Sequence, residues 1–319
     1  MRTAGEIQQH KPVLLDEVLE ALSIVEDGIY IDCTFGRGGH SKAMLNSLGK
    51  EGKVIGIDRD PSAIEAGNTL ASEDKRFSIE QGAFSKLQQI ADQKGVTGKV
   101  SGILFDLGVS SPQLDNAERG FSFMRDGPLD MRMDPEHSSS AADWIAKATD
   151  REMVKVFSEY GEERFSKRIA RAIVARRDEE PVVTTKQLAD LIKEVTPNQS
   201  KPGQKAIHPA TRVFQAIRIF INDELGEVKN VLDQAMNILA PGGRLAVISF
   251  HSLEDRIVKR FMKKAAAGDN YPKDLPIPTS MLNPDMKLIG KMIKASADEI
   301  ERNPRSRSAV LRVAERMGV

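Results

Sequence analysis

The sequence predicts an α/β fold, with a doubly wound, mostly parallel sheet and an inserted all-helical subdomain. Short apolar runs alternate with helical patterns from residue 12 to residue 108, which is typical of a parallel sheet. The alternation then stops, helical patterns follow to about residue 195, and the sheet pattern resumes at residue 239. We therefore expect a sheet domain from residues 1–110 and 212–319, with an insertion at 111–211.

The individual elements are predicted from apolar spacing and from residues typical of helix starts. Strands are predicted at 29–33, 53–58, 76–80, 101–108, 239–250 and 309–313. The first helix begins near Pro12, and Asp60 is the expected N-cap of the helix after the second strand. Because ligands of such sheets bind at the carboxyl ends of the strands, we expect Asp32, Asp58 and Asp106 on that edge.

A glycine-rich turn follows the first strand, at residues 32–40 (DCTFGRGGH). Glycines let backbone N–H groups approach a ligand closely. Gly36 and Asp58 are 22 residues apart, a separation typical of a carboxylate that binds ribose hydroxyls. The turn reads G-x-G-G, which is neither the dinucleotide fingerprint nor a P-loop. The alternative interpretation is a tight strand–helix turn without a ligand.

Asp32 narrows the choice of ligand for this turn. A carboxylate at this position would repel a pyrophosphate and would suit a cationic or amine-bearing ligand. S-adenosylmethionine carries an ammonium and a sulfonium and has no phosphate. Asp32 and Gly36 are therefore predicted to contribute to a methyl-donor site rather than to an NAD site.

Two further residues are candidates for the chemistry. Asp106 ends the fourth strand, where an acceptor could hold the N–H groups of an exocyclic amine and direct its lone pair at a methyl group. The alternative for Asp106 is a contact with the cofactor adenine or a helix cap. His251, in residues 249–255 (SFHSLED), could contact the substrate or relay a proton, or it could only pack the loop. Ser252 is the predicted N-cap of the next helix.

Charge is unevenly distributed, although the whole chain is neutral. Residues 1–150 hold 16 Lys and Arg against 24 Asp and Glu, whereas residues 151–319 hold 30 against 22. Such asymmetry suggests a region that faces a polyanion, and ordinary solvated helix surface is the alternative. A basic helix face is predicted at Arg164, Lys167, Arg168 and Arg171. A second basic cluster comprises Arg302, Arg305, Arg307, Arg312 and Arg316.

The cysteine content and the length of the apolar runs predict the cellular location of the protein. The single cysteine, Cys33, cannot form an internal disulfide, and we expect it to be a buried core residue of a cytoplasmic protein. The sequence contains no apolar run near 18 residues and no signal peptide, so we expect no membrane span. No metal site is predicted, and a homodimer is compatible with the sequence.

Several motifs together resemble one known family, over nearly the whole chain. They are residues 32–41 (DCTFGRGGHS), 106–115 (DLGVSSPQLD), 118–123 (ERGFSF), 160–163 (YGEE), 208–212 (HPATR) and 249–256 (SFHSLEDR). The chain resembles the bacterial ribosomal RNA small subunit methyltransferase H family, also called MraW. Cys33 stands where a glycine is common in that family.

The resemblance implies a class I, Rossmann-like methyltransferase fold that uses S-adenosylmethionine. It implies methylation of the N4 amine of one cytidine in the decoding region of 16S rRNA, on the assembled small (30S) subunit. The inserted helical domain would hold the cytidine. The cofactor contacts that carry over are Gly38, Gly39, His40, Asp58, Phe84, Asp106 and Gln113.

Two other functions compete with RNA methylation at this point. A nicotinamide-dependent oxidoreductase is disfavoured by the glycine spacing and by Asp32. A non-catalytic RNA-binding or assembly protein that keeps a methyltransferase fold is disfavoured by the intact cofactor edge. If the protein methylates RNA or only binds it, the candidate RNA contacts are Arg164, Lys167, Arg168, Arg171, Arg305 and Arg307.

Overall fold

A computed structural model describes residues 11–136, 139–197, 208–269 and 283–318 of the chain. Its contacts divide the chain into two compact units. The first unit comprises Met1–Gly108 and Glu227–Val319, and the second comprises Val109–Gly226. The first unit contains the sheet and the second contains helices, as the alternation of the sequence predicts.

The first unit is built on an eight-stranded mixed sheet. Its strands are β1 Ile29–Asp32, β2 Lys53–Asp58, β3 Phe77–Gln81, β4 Val100–Asp106, β5 Leu239–Ser249, β6 Met286–Leu288, β7 Ile293–Lys294 and β8 Val310–Arg316. The order is β3-β2-β1-β4-β5-β8-β6, and β7 also pairs with β8. Strands β1 to β5 are parallel, whereas β8 runs antiparallel to β5. The predicted α/β fold with a mostly parallel sheet is confirmed.

Helices flank this sheet on both faces. They are α1 Leu15–Leu22, α2 Gly39–Ser47, α3 Pro61–Glu73, α4 Leu87–Lys94, α11 Glu224–Ile238, α12 Ser252–Ala267 and α13 Ala297–Arg302. The predicted N-cap of α3 is confirmed, because the Asp60 side chain accepts the Ser62 N–H at 2.9 Å. The predicted cap of α12 is wrong: His251 occupies the N-cap position and Ser252 is the first helical residue.

The sheet is buried on both faces, which explains why its central strands read as continuous apolar runs. Ile103 and Phe105 of β4 belong to one apolar cluster. Leu104, between them, belongs to the cluster on the other face. Cys33 is 2 % exposed in the first of these clusters, so the prediction of a buried core cysteine is confirmed.

The second unit has its own apolar core. Its helices are α5 Ser111–Asp115, α6 Ala141–Lys147, α7 Asp150–Glu159, α8 Ser166–Glu179, α9 Thr185–Val195 and α10 Ala210–Ile221. The unit extends beyond residue 211, where the sequence placed the end of the insertion. The reason is that α10 buries Val213, Phe214 and Ile217 in the helical core rather than against the sheet.

The irregular segment after α5 is held by buried side chains. Leu129 and Met131 are almost completely buried in the helical core. Asn222, at the end of α10, accepts the Met133 N–H and donates to the Met131 carbonyl, both at 2.8 Å. A long segment without regular structure is therefore ordered by a buried amide and by apolar anchors.

In the part of the chain that the structure describes, none of the helices combines the length and the apolar character that a bilayer span requires.

Candidate functional site

The candidate site lies at the carboxyl edge of the sheet in the first unit. Strands β2, β1, β4 and β5 are neighbours and run parallel. Their last residues bring Asp58, Asp32 and Asp106 to one edge, and His251 follows β5 at the same edge. The predicted juxtaposition of three carboxyl groups therefore exists in the fold.

Asp32 is buried beneath the glycine turn, with 1 % of its surface exposed. Its carboxylate accepts the Ser41 hydroxyl at 2.7 Å and the Thr34 N–H at 3.2 Å. Burial raises the pKa of Asp32 to about 6, although the hydrogen bonds from Ser41 and Thr34 act in the opposite direction. Asp32 thus holds the turn from below and adds negative charge to the edge.

The glycines of the turn are required by backbone geometry and by close packing. Gly36 and Gly38 have φ angles of 56° and 74°, in the left-handed region. A Cβ on Gly38 would lie 2.6 Å from the Phe35 ring, and one on Gly39 would lie 2.3 Å from Pro12 Cγ. The packing of the chain itself therefore accounts for Gly38 and Gly39, whether or not a ligand approaches them.

Asp58 is tied to the same turn. Its two oxygens accept the Gly36 N–H at 2.8 Å and the Asp60 N–H at 2.9 Å. Burial is the largest cause of the raised pKa of Asp58, which these hydrogen bonds partly oppose. Each carboxylate oxygen has two lone pairs, so Asp58 keeps the capacity to accept further hydrogen bonds.

Phe84 lies just after β3, at the start of a short 3₁₀ turn, Phe84–Lys86. Its ring is partly buried and packs edge to face on Phe105, with the centroids 5.7 Å apart. The exposed part of the ring is an apolar surface just beyond β3, the strand that neighbours the Asp58 strand in the sheet.

Of the three carboxyl groups at this edge, Asp106 has the fewest hydrogen-bond donors among the described residues. Its Oδ1 is buried without a hydrogen-bond partner in the described residues, although 26 % of the side chain is exposed. The Asp106 N–H donates to Thr34 Oγ1 at 2.6 Å, which fixes the backbone. Burial, followed by the charges of Asp32 and Glu254, raises the pKa of Asp106 to about 8. Asp106 therefore keeps its proton to a higher pH than an ordinary aspartate does.

His40 faces Asp106 from α2. Its Nε2 lies 3.1 Å from the Val13 carbonyl, and its Nδ1 lies 3.9 Å from Asp106 Oδ2. Burial lowers the pKa of His40 to about 4, so the ring is neutral at pH 7. A neutral ring that donates from Nε2 to the Val13 carbonyl presents the lone pair of Nδ1 to Asp106.

His251 and Glu254 lie at the end of β5. Glu254, only 1 % exposed, accepts the backbone N–H of Phe250 at 3.0 Å. Its Oε1 lies 3.0 Å from His251 Nε2. Sequence reasoning did not single out Glu254, Thr34 or Ser41 as contributors to this edge. Thr34 and Ser41 are within or next to the glycine turn, and Glu254 stands three residues after the N-cap, which is the position of a capping-box carboxylate.

Gln113 lies in the second unit and has a structural role there. Its Oε1 accepts the Ser110 N–H at 3.0 Å, which completes a capping box at the start of α5. The side chain is buried, with 6 % of its surface exposed. The cofactor contact that the family resemblance implies for Gln113 stays a prediction.

Three of the predicted basic residues, Lys167, Arg168 and Arg171, lie on α8 of the second unit, whereas Arg164 lies in the turn that precedes this helix. Arg164, Lys167, Arg168 and Arg171 are all exposed, and none forms an ion pair with another described residue. Two arginines near the end of the same helix differ: Arg176 pairs with Glu194 at 3.4 Å, and Arg177 donates to the Ile145 and Ala148 carbonyls.

The arginines near the C-terminus do not form one cluster. Arg305 and Arg307 are exposed on a 3₁₀ turn, Pro304–Ser308. Arg312 forms a two-bond ion pair with Asp255, at 2.6 and 3.0 Å, and Arg316 donates to the Leu239 carbonyl. The fold therefore engages Arg312 and Arg316, two members of the predicted second basic cluster, in contacts of their own.

The second unit also has a shallow aromatic groove that sequence reasoning missed. The Trp144 and Phe220 rings contact each other at a tilt of 42°, with their centroids 4.9 Å apart, and Phe220 is 39 % exposed. Lys147 and Asp143 line the same groove. The single tryptophan of the chain was the only signal that could have pointed to this surface.

Comparison with known proteins adds an independent line of evidence. Residues 7–317 match the family model described as the MraW methylase family. A protein of Shewanella oneidensis, named ribosomal RNA small subunit methyltransferase H, is 54 % identical, and the match covers 97 % of each chain. A protein of Shewanella baltica with the same name is 55 % identical over the same shares. The motifs, the sheet edge and these matches together show that the chain belongs to the MraW methylase family.

Proposed function

We propose that this protein methylates the exocyclic N4 amine of a cytidine in the decoding region of 16S rRNA, within the small ribosomal subunit. S-adenosylmethionine is the methyl donor. The proposal is supported by the family membership and by the names of the relatives, which are methyltransferases of small-subunit ribosomal RNA. The carboxyl groups at the sheet edge of the first unit give a chemical reason to expect a positively charged cofactor there.

The observation that carries the proposal is the unpaired acidity of that edge. No lysine or arginine of the described residues forms an ion pair with Asp32, Asp58 or Asp106. Buried carboxyl groups without cationic partners raise the free energy of the protein, and a cation bound beside them lowers it. A phosphate-bearing cofactor would be repelled here, whereas a sulfonium and an ammonium would be attracted.

The residues present fit S-adenosylmethionine. Asp58 would accept the ribose hydroxyls, the exposed part of Phe84 would pack against the adenine, and the turn at Gly36–Gly39 would approach the ligand with its backbone. Asp106 and the charge of Asp32 would face the cationic portion. When bound, the cofactor supplies an electrophilic methyl group.

The chain supplies the orientation of the amine. A cytosine amine is a weak nucleophile, because its lone pair is delocalised into the ring. An acceptor that binds an N–H of the amine can turn the lone pair out of conjugation. We assign this acceptor role to Asp106, whose Oδ1 has no partner in the described residues, and we assign proton relay or substrate contact to His251. The amine needs no strong base before methyl transfer, because it becomes far more acidic afterwards.

The RNA contacts are assigned to the second unit and to the C-terminal turn. The exposed cations of α8 can neutralise backbone phosphates, and the groove beside Trp144 can stack an unpaired base. Arg305 and Arg307 offer further positive charge. The target cytidine must leave its stack to be methylated, as for other enzymes that act on a base.

The test is methyl transfer to small ribosomal subunits purified from cells that lack this protein. We expect N4-methylcytidine in the digested 16S rRNA, detected by nucleoside mass spectrometry, and we expect the Asp106→Asn variant to be at least tenfold slower. Glu73→Ala, an exposed change on α3, is the matched control and should leave the rate unchanged. Subunits that acquire no N4-methylcytidine, in the presence of bound S-adenosylmethionine, would favour a non-catalytic assembly role instead.

A further inference from the structure

The environment of Asp106 has a consequence for how the site distinguishes its ligands. Five titratable groups lie at the same edge as Asp106. Asp32 at the end of β1 and Glu254 on α12 act on its charge, and His40 on α2 lies 3.9 Å from it. Asp58 ends β2, one strand further away, and His251 follows β5. Four of these five groups are carboxyl groups or a neutral imidazole, and none of the five is a lysine or an arginine.

The hydrogen bonds around Asp106 favour its neutral form when no cation is near. His40 is held by the Val13 carbonyl at Nε2, so Nδ1 faces Asp106 Oδ2 with a lone pair rather than with a proton. Thr34 Oγ1 accepts the backbone N–H of Asp106, and neither Asp106 oxygen receives a hydrogen bond from the described residues. An ionised Asp106 would therefore be a partly buried charge whose Oδ1 has no donor among the described residues.

We propose that Asp106 is a specificity-determining residue that is protonated in the free protein and gives up its proton when a positively charged methyl donor binds. The inference rests on the proposed function and concerns the charge of the cofactor. The donor S-adenosylmethionine and the product S-adenosylhomocysteine share the ribose, the adenine and the amino acid portion. They differ in the sulfonium charge, so only the donor stabilises an ionised Asp106.

The proposed step is the transfer of one proton from Asp106 to solvent. The Asp106 O–H bond breaks as the donor binds, the electron pair stays on the carboxylate, and the proton passes to solvent. After methyl transfer the sulfonium charge is lost, and the carboxylate takes up a proton again from solvent. The neutral product then lacks the attraction that held the donor, and the site releases it more readily.

The proposal predicts a linkage between pH and affinity. Burial and the neighbouring carboxyl groups raise the pKa of free Asp106 to about 8. Binding that requires ionisation is opposed at lower pH, so the affinity for the donor rises as pH rises toward 8 and levels off above it. The slope approaches about tenfold per pH unit for one linked proton. The affinity for the product should change much less over the same range.

Isothermal titration calorimetry of the full chain tests this inference with both ligands between pH 6 and pH 9. Buffers of different ionisation enthalpy give the number of protons released on binding. We expect close to one proton for the donor at pH 7 and far fewer for the product. The amino group of each ligand also titrates near this range, so the readout is the difference between the wild type and Asp106→Asn.

Two variants make the result specific to Asp106. Asp106→Asn should remove the proton release, flatten the pH dependence of donor affinity and bring donor and product affinities together. Asp58→Asn is the matched control on the same edge: it should weaken both ligands alike, because both carry the ribose, and should keep the proton release. Should Asp106→Asn fail to fold, Asp106→Ser, which also lacks the carboxyl group, takes its place in the same subtraction.

The outcomes separate this inference from the proposed function. Donor binding without proton release, and with a donor-to-product affinity ratio that does not change with pH, would overturn the inference and leave the methyltransferase proposal standing. Proton release that persists in Asp106→Asn would also overturn it. Failure to bind the donor at any pH would remove the proposed function and the inference together.

Discussion

Two aspartates, one in each unit, differ in whether a cationic side chain pairs with them. Asp106 of the first unit has no arginine or lysine partner in the described residues. Asp130 of the second unit accepts two side-chain hydrogen bonds from Arg132, at 2.8 and 2.7 Å, and the Arg132 N–H at 3.0 Å. The two side chains expose similar fractions of their surface, 26 % and 24 %, but Oδ1 of Asp106 is buried and has no hydrogen-bond partner in the described residues.

The pKa values follow the partners. Burial raises the pKa of Asp106 to about 8, and neighbouring carboxylates add to the effect. Burial also acts to raise the pKa of Asp130, but the hydrogen bonds and charge of Arg132 outweigh it, so that pKa lies below its usual value. A carboxyl group whose charge the fold compensates stabilises the fold. One whose charge is left uncompensated is available to a cationic ligand.

The largest expected effect is on ligand binding at the first unit. Asp58→Ala should weaken S-adenosylmethionine by about 2–4 kcal/mol, because two hydrogen bonds to a charged acceptor are lost. Calorimetric titration measures this change, and Glu73→Ala is the control with an exposed carboxylate that should bind normally. Wild-type affinity in Asp58→Ala would refute the assignment of Asp58 to the ribose.

The stability of the free protein should respond in opposite directions to loss of the two aspartate charges. At pH 8, Asp106→Asn should stabilise the fold by about 1–3 kcal/mol, since it removes an uncompensated buried acid. Asp130→Asn should destabilise it by about 1–3 kcal/mol, because charged hydrogen bonds to Arg132 are lost. Denaturant unfolding of both variants beside the wild type measures the two changes.

The pH dependence gives the sign of each contribution. Asp106 keeps its proton in the folded state from its ordinary value of 3.8 up to about 8, so its contribution to stability falls as pH rises through that window. Asp130 acts in the opposite sense, and its contribution is lost as pH falls through its lowered pKa. The gain from Asp106→Asn should therefore be clearly smaller at pH 5 than at pH 8. An equal gain at the two pH values would contradict the assignment.

The smallest expected effect per residue is on RNA binding by α8. Replacing Arg164, Arg168 and Arg171 by Gln should lower the slope of log affinity against log salt by about 2, the value for three contacts to single-stranded phosphates. Filter binding to 16S rRNA fragments at several salt concentrations measures the slope. Arg176→Gln is the matched control, because Arg176 lies on the same helix and is already paired with Glu194. An unchanged slope in the triple variant would place the RNA elsewhere.

The sequence predicted the first unit well because its signals are local. Strands β1, β2 and β4 each combine an apolar run with a turn signal, and each ends in an aspartate. The sequence could not show that Asp32 lies beneath the turn while Asp106 lacks donors. That difference depends on Ser41 and Thr34, which donate to Asp32, and on Val13, whose carbonyl holds the His40 ring beside Asp106.

The sequence was less informative where contacts are distant along the chain. The end of the insertion was placed at residue 211, because α10 has an amphipathic pattern that would suit either unit. Arg312 was grouped with a basic cluster, because its partner Asp255 is 57 residues away. The groove at Trp144 and Phe220 pairs two side chains from helices far apart in sequence, and no local pattern marks it.

The division of the sheet between two chain segments also constrains how the protein is made. One edge of β4 pairs with β1. The other edge pairs with β5, which begins only at Leu239. During synthesis at about 5–20 residues per second, about 130 residues must be added before that partner exists, a delay of roughly 6–26 s. The apolar β4 edge is exposed throughout that interval, which makes the nascent first half a natural client for chaperones.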